Sequence, residues 1–137
     1  MIIKVIAGII FKKDKILIGR RSPIESLSGM WEFPGGKQEA GETIEATIAR
    51  ELKEELAIEV QVGEQLIALD HAYSHKKLRF VVHVCRWIAG EPKPLASQQV
   101  RWVKANLLAE YSFPAANSRM IDALIDYLRA DKPSKSS

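Results

Sequence analysis

Between Thr43 and Leu56 an apolar residue recurs at every fourth position, Ile44, Ile48, Leu52 and Leu56, and Ala49 widens the stripe. That period predicts an amphipathic helix with one side committed to a core. The other side carries Glu51, Glu54 and Glu55, which at i, i+3 and i+4 share a face. Carboxylates crowded in this way repel one another, so helix stability does not explain them. A hard divalent cation does, because Mg²⁺ and Mn²⁺ prefer carboxylate and carbonyl oxygen. Such a cation can hold phosphates and activate water. Glu42 and Glu45 suit the positive end of the helix dipole.

Around this helix the chain reads mostly as strands. Ile2 to Phe11 is apolar on both faces except for Lys4 and predicts a central strand. Lys12 to Lys15 is a polar turn, and Ile16 to Arg20 returns as the second arm of a hairpin. Trp31 to Phe33 predicts a short strand stopped at Pro34-Gly35-Gly36, where the glycines permit a tight turn. Val60 to Asp70 and Leu78 to Ile88 predict longer strands, joined by a loop with His71, His75, Lys76 and Lys77. Both histidines are too isolated to read as metal ligands. After the turn at Gly90 to Pro94, Val100 to Val103 resumes extended structure, and Met120, Ile121, Leu124, Ile125 and Leu128 mark a second helix. Two well-separated helices among strands predict an α+β fold with helices packed on a mixed sheet.

The 137 residues make one domain, 1–130, followed by a flexible tail, 131–137. A net charge of +3 is too small to argue for a stable nucleic-acid complex. Cys85, the single cysteine, lies in the apolar run Phe80 to Ile88 and reads as a core residue of a reducing compartment. With no apolar stretch of membrane-spanning length and no signal-peptide layout, a cytoplasmic monomer or homodimer is expected.

Gly36, Glu42, Arg50, Glu51, Leu52, Glu54, Glu55 and Ile58 match the signature of the Nudix hydrolases: Gly, five residues, Glu, seven residues, Arg-Glu-aliphatic-x-Glu-Glu-x-Gly-aliphatic. Ala57 stands where the signature has its last glycine. Glycine at a helix end commonly takes a left-handed conformation, in which alanine costs roughly 1–2 kcal/mol. The stretch Trp31-Glu32-Phe33-Pro34-Gly35-Gly36-Lys37, the Arg20-Arg21 pair and Phe113-Pro114-Ala115-Ala116-Asn117 resemble the MutT-type branch of that family, which removes oxidised guanine nucleotides.

The resemblance implies an α/β/α sandwich with a mixed sheet between helices, and hydrolysis of a nucleoside diphosphate linked to another group. Glu51, Glu54, Glu55 and the Gly35 carbonyl would hold Mg²⁺, for which Mn²⁺ can substitute. Arg50 would orient a glutamate through a bidentate pair, or contact phosphate directly. Glu42 is left as the holder of a loop amide or a metal-bound water, or simply as a helix-start acid. Substrate contacts would come from Arg21, Glu32, Phe33, Pro34, Gly35 and Asn117, with Ile3 or Val5 beside Phe33 in a base pocket. Asn117 suits a purine edge, for which it offers both donor and acceptor, and suits equally an N-cap of the last helix.

One departure bears on mechanism. MutT-type enzymes commonly carry another glutamate before the last strand, where this chain reads Leu95-Ala96-Ser97-Gln98-Gln99-Val100. A glutamine cannot take a proton from water, which leaves the general base to Glu54 or Glu55. The leading expectation is a metal-dependent nucleoside triphosphate pyrophosphohydrolase with 8-oxo-dGTP or dGTP preferred. The alternatives are a Nudix hydrolase of a CTP-type triphosphate, a dinucleoside polyphosphate or an RNA 5′ end, and a non-catalytic module that recognises oxidised guanine.

Overall fold

The computed structural model describes residues 2–22, 27–73 and 75–136, with the side chains of 131–136 excepted. The strands are β1 (Ile2–Lys12), β2 (Lys15–Arg20), β3 (Trp31–Glu32), β4 (Gly35–Lys37), β5 (Glu59–Tyr73), β6 (Lys76–Ala89) and β7 (Gln99–Lys104). Helix α1 (Ile44–Leu56) lies between β4 and β5, and α2 (Ala115–Ser136) follows a 3-10 turn at Ala105–Glu110. The tail expected at 131–137 falls on residues whose side chains are outside this description. Among the described residues, no helix is long and apolar enough to cross a membrane.

The sheet runs β3-β2-β1-β6-β5, with β4 added to β1 and β7 to β2. Only the β1–β6 pairing is parallel, so the sheet is mixed. Strand β1 changes partner along one edge: Val5, Ile6 and Ala7 pair with β4, and Phe11 and Lys12 pair with β2. Beyond its start β2 turns away to pair with β7 along its whole length.

The alternation of β1 accounts for its two apolar faces. Ile6 and Ile10 pack with Ile48, Leu52 and Leu56 of α1, along with Leu17, Ile58, Val81 and Cys85. Ala7 and Ile9 pack on the opposite side with Ala116, Met120 and Leu124 of α2. The result is the expected α/β/α sandwich. Cys85 is buried in the α1 layer, and burial pushes its thiol up to about 12, as suits an inert core residue.

Helix α1 begins at Thr43, whose hydroxyl accepts from the Ala46 amide at 3.1 Å. It ends on Ala57 in the left-handed conformation, φ 58° and ψ 35°. Alanine therefore carries the strain that glycine would avoid at this position, and the helix ends as the signature prescribes.

Two sequence-based expectations are corrected, and one open alternative is closed. Strands β5 and β6 continue to Tyr73 and from Lys76, so His71, Lys76 and Lys77 lie in the ladder and not in a loop. Lys76 and Lys77 are exposed at the very start of β6 and His71 lies on the edge strand β5, so polar side chains are compatible with the ladder there. Gly35 and Gly36 form strand β4 instead of a turn. Asn117 lies inside the first turn of α2, which begins at Ala115, so it is not the N-cap.

Candidate active site

The two glycines are needed for close approach. Gly35 pairs with Ala7 and Gly36 with Ile6. A Cβ on Gly35 would overlap the Ile6 carbonyl, and one on Gly36 would overlap the Glu51 carboxylate. Glycine at 36 thus lets Glu51 lie directly against the β4 backbone, and glycine at 35 lets that backbone press onto β1.

Arg50 organises the acids at the start of the site. Its Nε and Nη2 donate to Glu42 at 2.6 and 3.0 Å, a bidentate pair. Its Nη1 reaches Glu51 at 2.9 Å and Glu54 at 3.4 Å, and Nη2 also donates to the Lys37 carbonyl at 3.2 Å. Glu42 in turn accepts from the Glu39 amide and the Thr47 hydroxyl, both at 2.9 Å. Arg50, the Glu39 amide and Thr47 together hold the Glu42 carboxyl down to about 2. Glu42 pulls the Arg50 guanidinium well above its ordinary value. Of the roles left open for Glu42, holding a loop amide is the one observed. The bidentate partner of Arg50 is Glu42, with Glu51 held by the remaining nitrogen.

Glu55 has the opposite surroundings. Burial, followed by neighbouring Glu51, Glu32 and Glu54, pushes its carboxyl up to about 8. Glu54 is 61% exposed, its only ion pair among the described residues being the long one to Arg50. Among the described residues, no three acidic or imidazole side chains converge into a ready-made cation cage. The donors still fit a hard divalent cation in kind. They are carboxylates on one helix face with a strand carbonyl beside them, and burial and like charges push one of them, Glu55, upward.

Glu32 links this cluster to Arg21, with which it forms an ion pair across the β2–β3 connection. Arg20 turns elsewhere, its Nε donating to the Gly29 carbonyl at 3.2 Å. The segment that lacks the extra glutamate packs against the end of α1, where the Leu95 amide donates to the Glu55 carbonyl at 3.1 Å and the Lys93 amide to the Leu56 carbonyl at 2.9 Å. Gln98 is exposed, and its amide donates to the Arg20 carbonyl at 2.9 Å. The segment thus borders the acidic cluster without contributing a carboxylate.

On the α2 side of the sheet, residues pair in rows across β1, β6 and β5. Ala7, Val82 and Ile67 form one row, Val5, Phe80 and Leu69 the next, and Ile3, Leu78 and His71 the last. Ala7 and Val82 are buried beneath α2, but Ile3, Val5, Leu78 and Phe80 are only half-buried. They make an apolar shelf at the N-terminal end of β1. Phe33 packs on the same core and stacks on Phe113, with ring centroids 5.5 Å apart and planes 25° apart. Asn117 is buried at the start of α2, its Nδ2 4.0 Å from the Met120 sulfur, a weak contact. The sequence reading located Phe33, Ile3, Val5 and Asn117 but missed Leu78 and Phe80, which only the long-range β1–β6 register brings alongside.

Residues 6–123 match the family model described as NUDIX domain. The chain is 34% identical over 126 residues to the 8-oxo-dGTP diphosphatase of Haemophilus influenzae, covering 91% of this chain and 93% of that one. It is 31% identical over 135 residues to the CTP pyrophosphohydrolase of Escherichia coli, covering 96% of each. The solution structure of the E. coli ORF135 protein superposes with a TM-score of 0.80 at 30% identity, covering 96% of this chain and 94% of that one. The signature, complete in its charged positions, a sandwich that sets its acids beside β4, and these matches together make this chain a member of the Nudix hydrolase family.

Proposed function

We propose that this Nudix hydrolase is a nucleoside triphosphate pyrophosphohydrolase that prefers a guanine nucleotide, 8-oxo-dGTP or dGTP. The observation that carries this reading is the half-buried shelf of Ile3, Val5, Leu78 and Phe80, on the side of the sheet where Phe33 and the start of α2, with its buried Asn117, also pack. A flat apolar floor suits a purine ring, and an asparagine amide at its inner edge can both donate to and accept from the base. Phe33 lies between Glu32 and Gly35 in sequence, so base floor and acidic cluster are directly joined. The curated 8-oxo-dGTP diphosphatase relative supports the same substrate.

Glu51, Glu54, Glu55 and the Gly35 carbonyl would hold Mg²⁺, with Mn²⁺ able to replace it. The bound cation supplies neutralising charge to the diphosphate and acidifies water. Arg50 holds Glu51 in place and Arg21 adds positive charge for the phosphates. Water attacks phosphorus, the P–O anhydride bond breaks, and monophosphate and pyrophosphate leave. The proton of that water passes to Glu54 or Glu55, since Leu95 to Val100 holds no acid.

A panel of purine and pyrimidine triphosphates assayed with Mg²⁺ tests the reading, and equal turnover of both classes would overturn the guanine preference. Asn117→Ala should weaken that preference by about ten-fold or more, the worth of a good bidentate base contact, with metal binding intact. A CTP-type substrate is the second reading, favoured by the CTP pyrophosphohydrolase relative. In the same panel it would appear as faster turnover of CTP than of any purine triphosphate.

A further inference from the structure

The base shelf is floored by Ile3, Val5, Leu78 and Phe80, on the side of the sheet where Phe33 and α2 pack. Its outer side ends at the last residues of β5. Leu69, on the α2 side of the sheet, packs in the same core as Phe33. Strand alternation carries His71 and Tyr73 to that side as well. The register is unbroken from Ile67 to Tyr73, so the alternation holds over this stretch. The two rings touch, with centroids 4.6 Å apart and planes at 61°. Both are half-buried, and His71 completes the row of Ile3 and Leu78.

Tyr73 sits where the β5–β6 ladder ends, opposite Lys76. An edge-to-face aromatic pair at the rim of an apolar shelf, beyond the cover of α2, offers a ring face to something that arrives later. Burial pushes the Tyr73 phenol above its ordinary value, and Arg21 is close enough to act against that rise. Tyr73 therefore stands near Arg21 as well as at the end of the shelf.

We infer that Tyr73, braced edge-on by His71, is the outer wall of the base site and stacks on the nucleobase that lies on the Ile3–Leu78 shelf. This rests on the proposed nucleotide substrate and adds a specificity-determining residue to it. Stacking acts on any base but is strongest for a bicyclic ring, so Tyr73 would favour purines while Asn117 reads which purine is bound.

The experiment compares wild type, Tyr73→Ala and Tyr73→Phe on the best nucleotide of the panel and on deoxyribose 5′-triphosphate, which has phosphates but no base. Tyr73→Ala should raise KM for the nucleotide by roughly ten-fold, within the range that base–aromatic stacking commands. The loss should fall on KM more than on kcat, and the abasic compound should lose nothing. Tyr73→Phe, which restores the ring without the hydroxyl, should recover most of the KM. An unchanged nucleotide KM in Tyr73→Ala overturns the inference, as does an equal loss on the abasic compound. Failure of the guanine reading would appear separately, in the wild-type panel. His71→Ala should reproduce part of the Tyr73→Ala effect through the lost brace, and a full wild-type KM in that variant would remove His71 from the assignment.

Discussion

At the start of α1, Glu42 lies in the grip of Arg50, the Glu39 amide and Thr47, and its carboxyl is held at about 2. At the end of the same helix, Glu55 is half-buried among Glu51, Glu32 and Glu54, and its carboxyl is pushed up to about 8. Both are glutamates of one signature, less than four helical turns apart. One has every partner a carboxylate can use, and the other has mainly like charges. The first is thus a fastening, which locks the loop before the helix to the helix itself. The second carries no such partner among the described residues, as suits the proposed cation ligand.

The contrast can be broken most directly by neutralising the acids at the far end. Glu54→Gln and Glu55→Gln should each lower kcat by at least about 100-fold, as loss of a metal ligand or general base does. Steady-state turnover with Mg²⁺ checks this, and wild-type rates in both variants would remove these acids from the metal site. Arg50→Lys attacks the near end. It keeps the charge but loses the planar fork that spans Glu42 and Glu51. A loss of about 10- to 100-fold in kcat/KM is expected, the usual cost of disturbing a group that positions ligands.

The two ends should also answer pH in opposite senses, measured by thermal melts in chelator. Glu55 is raised above its ordinary 4.5, so the folded state binds the extra proton between about 4.5 and 8. Its contribution to metal-free stability is full below that window and is lost as pH rises through it. Glu42 is lowered from 4.5 to about 2, so its contribution is full above 4.5 and is lost as pH falls toward 2. Glu55→Gln should flatten the first dependence alone, and Glu42→Gln the second alone. The smallest effect belongs to Ala57→Gly, which relieves the left-handed strain at the helix end. It should raise stability by about 1 kcal/mol with kcat unchanged, read from denaturant midpoints alongside turnover.

The sequence made these two ends unequally readable. The acid face of α1 and its apolar stripe are set by local spacing, so the helix and the identity of its acids could be read directly. The service of Glu42 could not, because its partners are an arginine two turns into the helix and an amide in the preceding loop. Gly35 and Gly36 read as a turn because Pro-Gly-Gly usually is one. Their pairing with β1 spans about thirty residues of chain, and local pattern carries no trace of it. The apolar shelf on the α2 side is the extreme case. Ile3 and Val5 meet Leu78 and Phe80 only through a parallel pairing of distant strands, and the polar stretch around His71 to Lys77 disguised the strand ends that border it.

The bonds from the Lys93 and Leu95 amides to the last carbonyls of α1 bear on how the enzyme meets its substrate. Those carbonyls would otherwise face water, and here the neighbouring segment caps them. Peeling that segment back would fray the turn of helix that carries Glu55, so the position of this acid and the path of the segment are set together. Substitutions that loosen the segment should therefore disturb the setting of Glu55 as well.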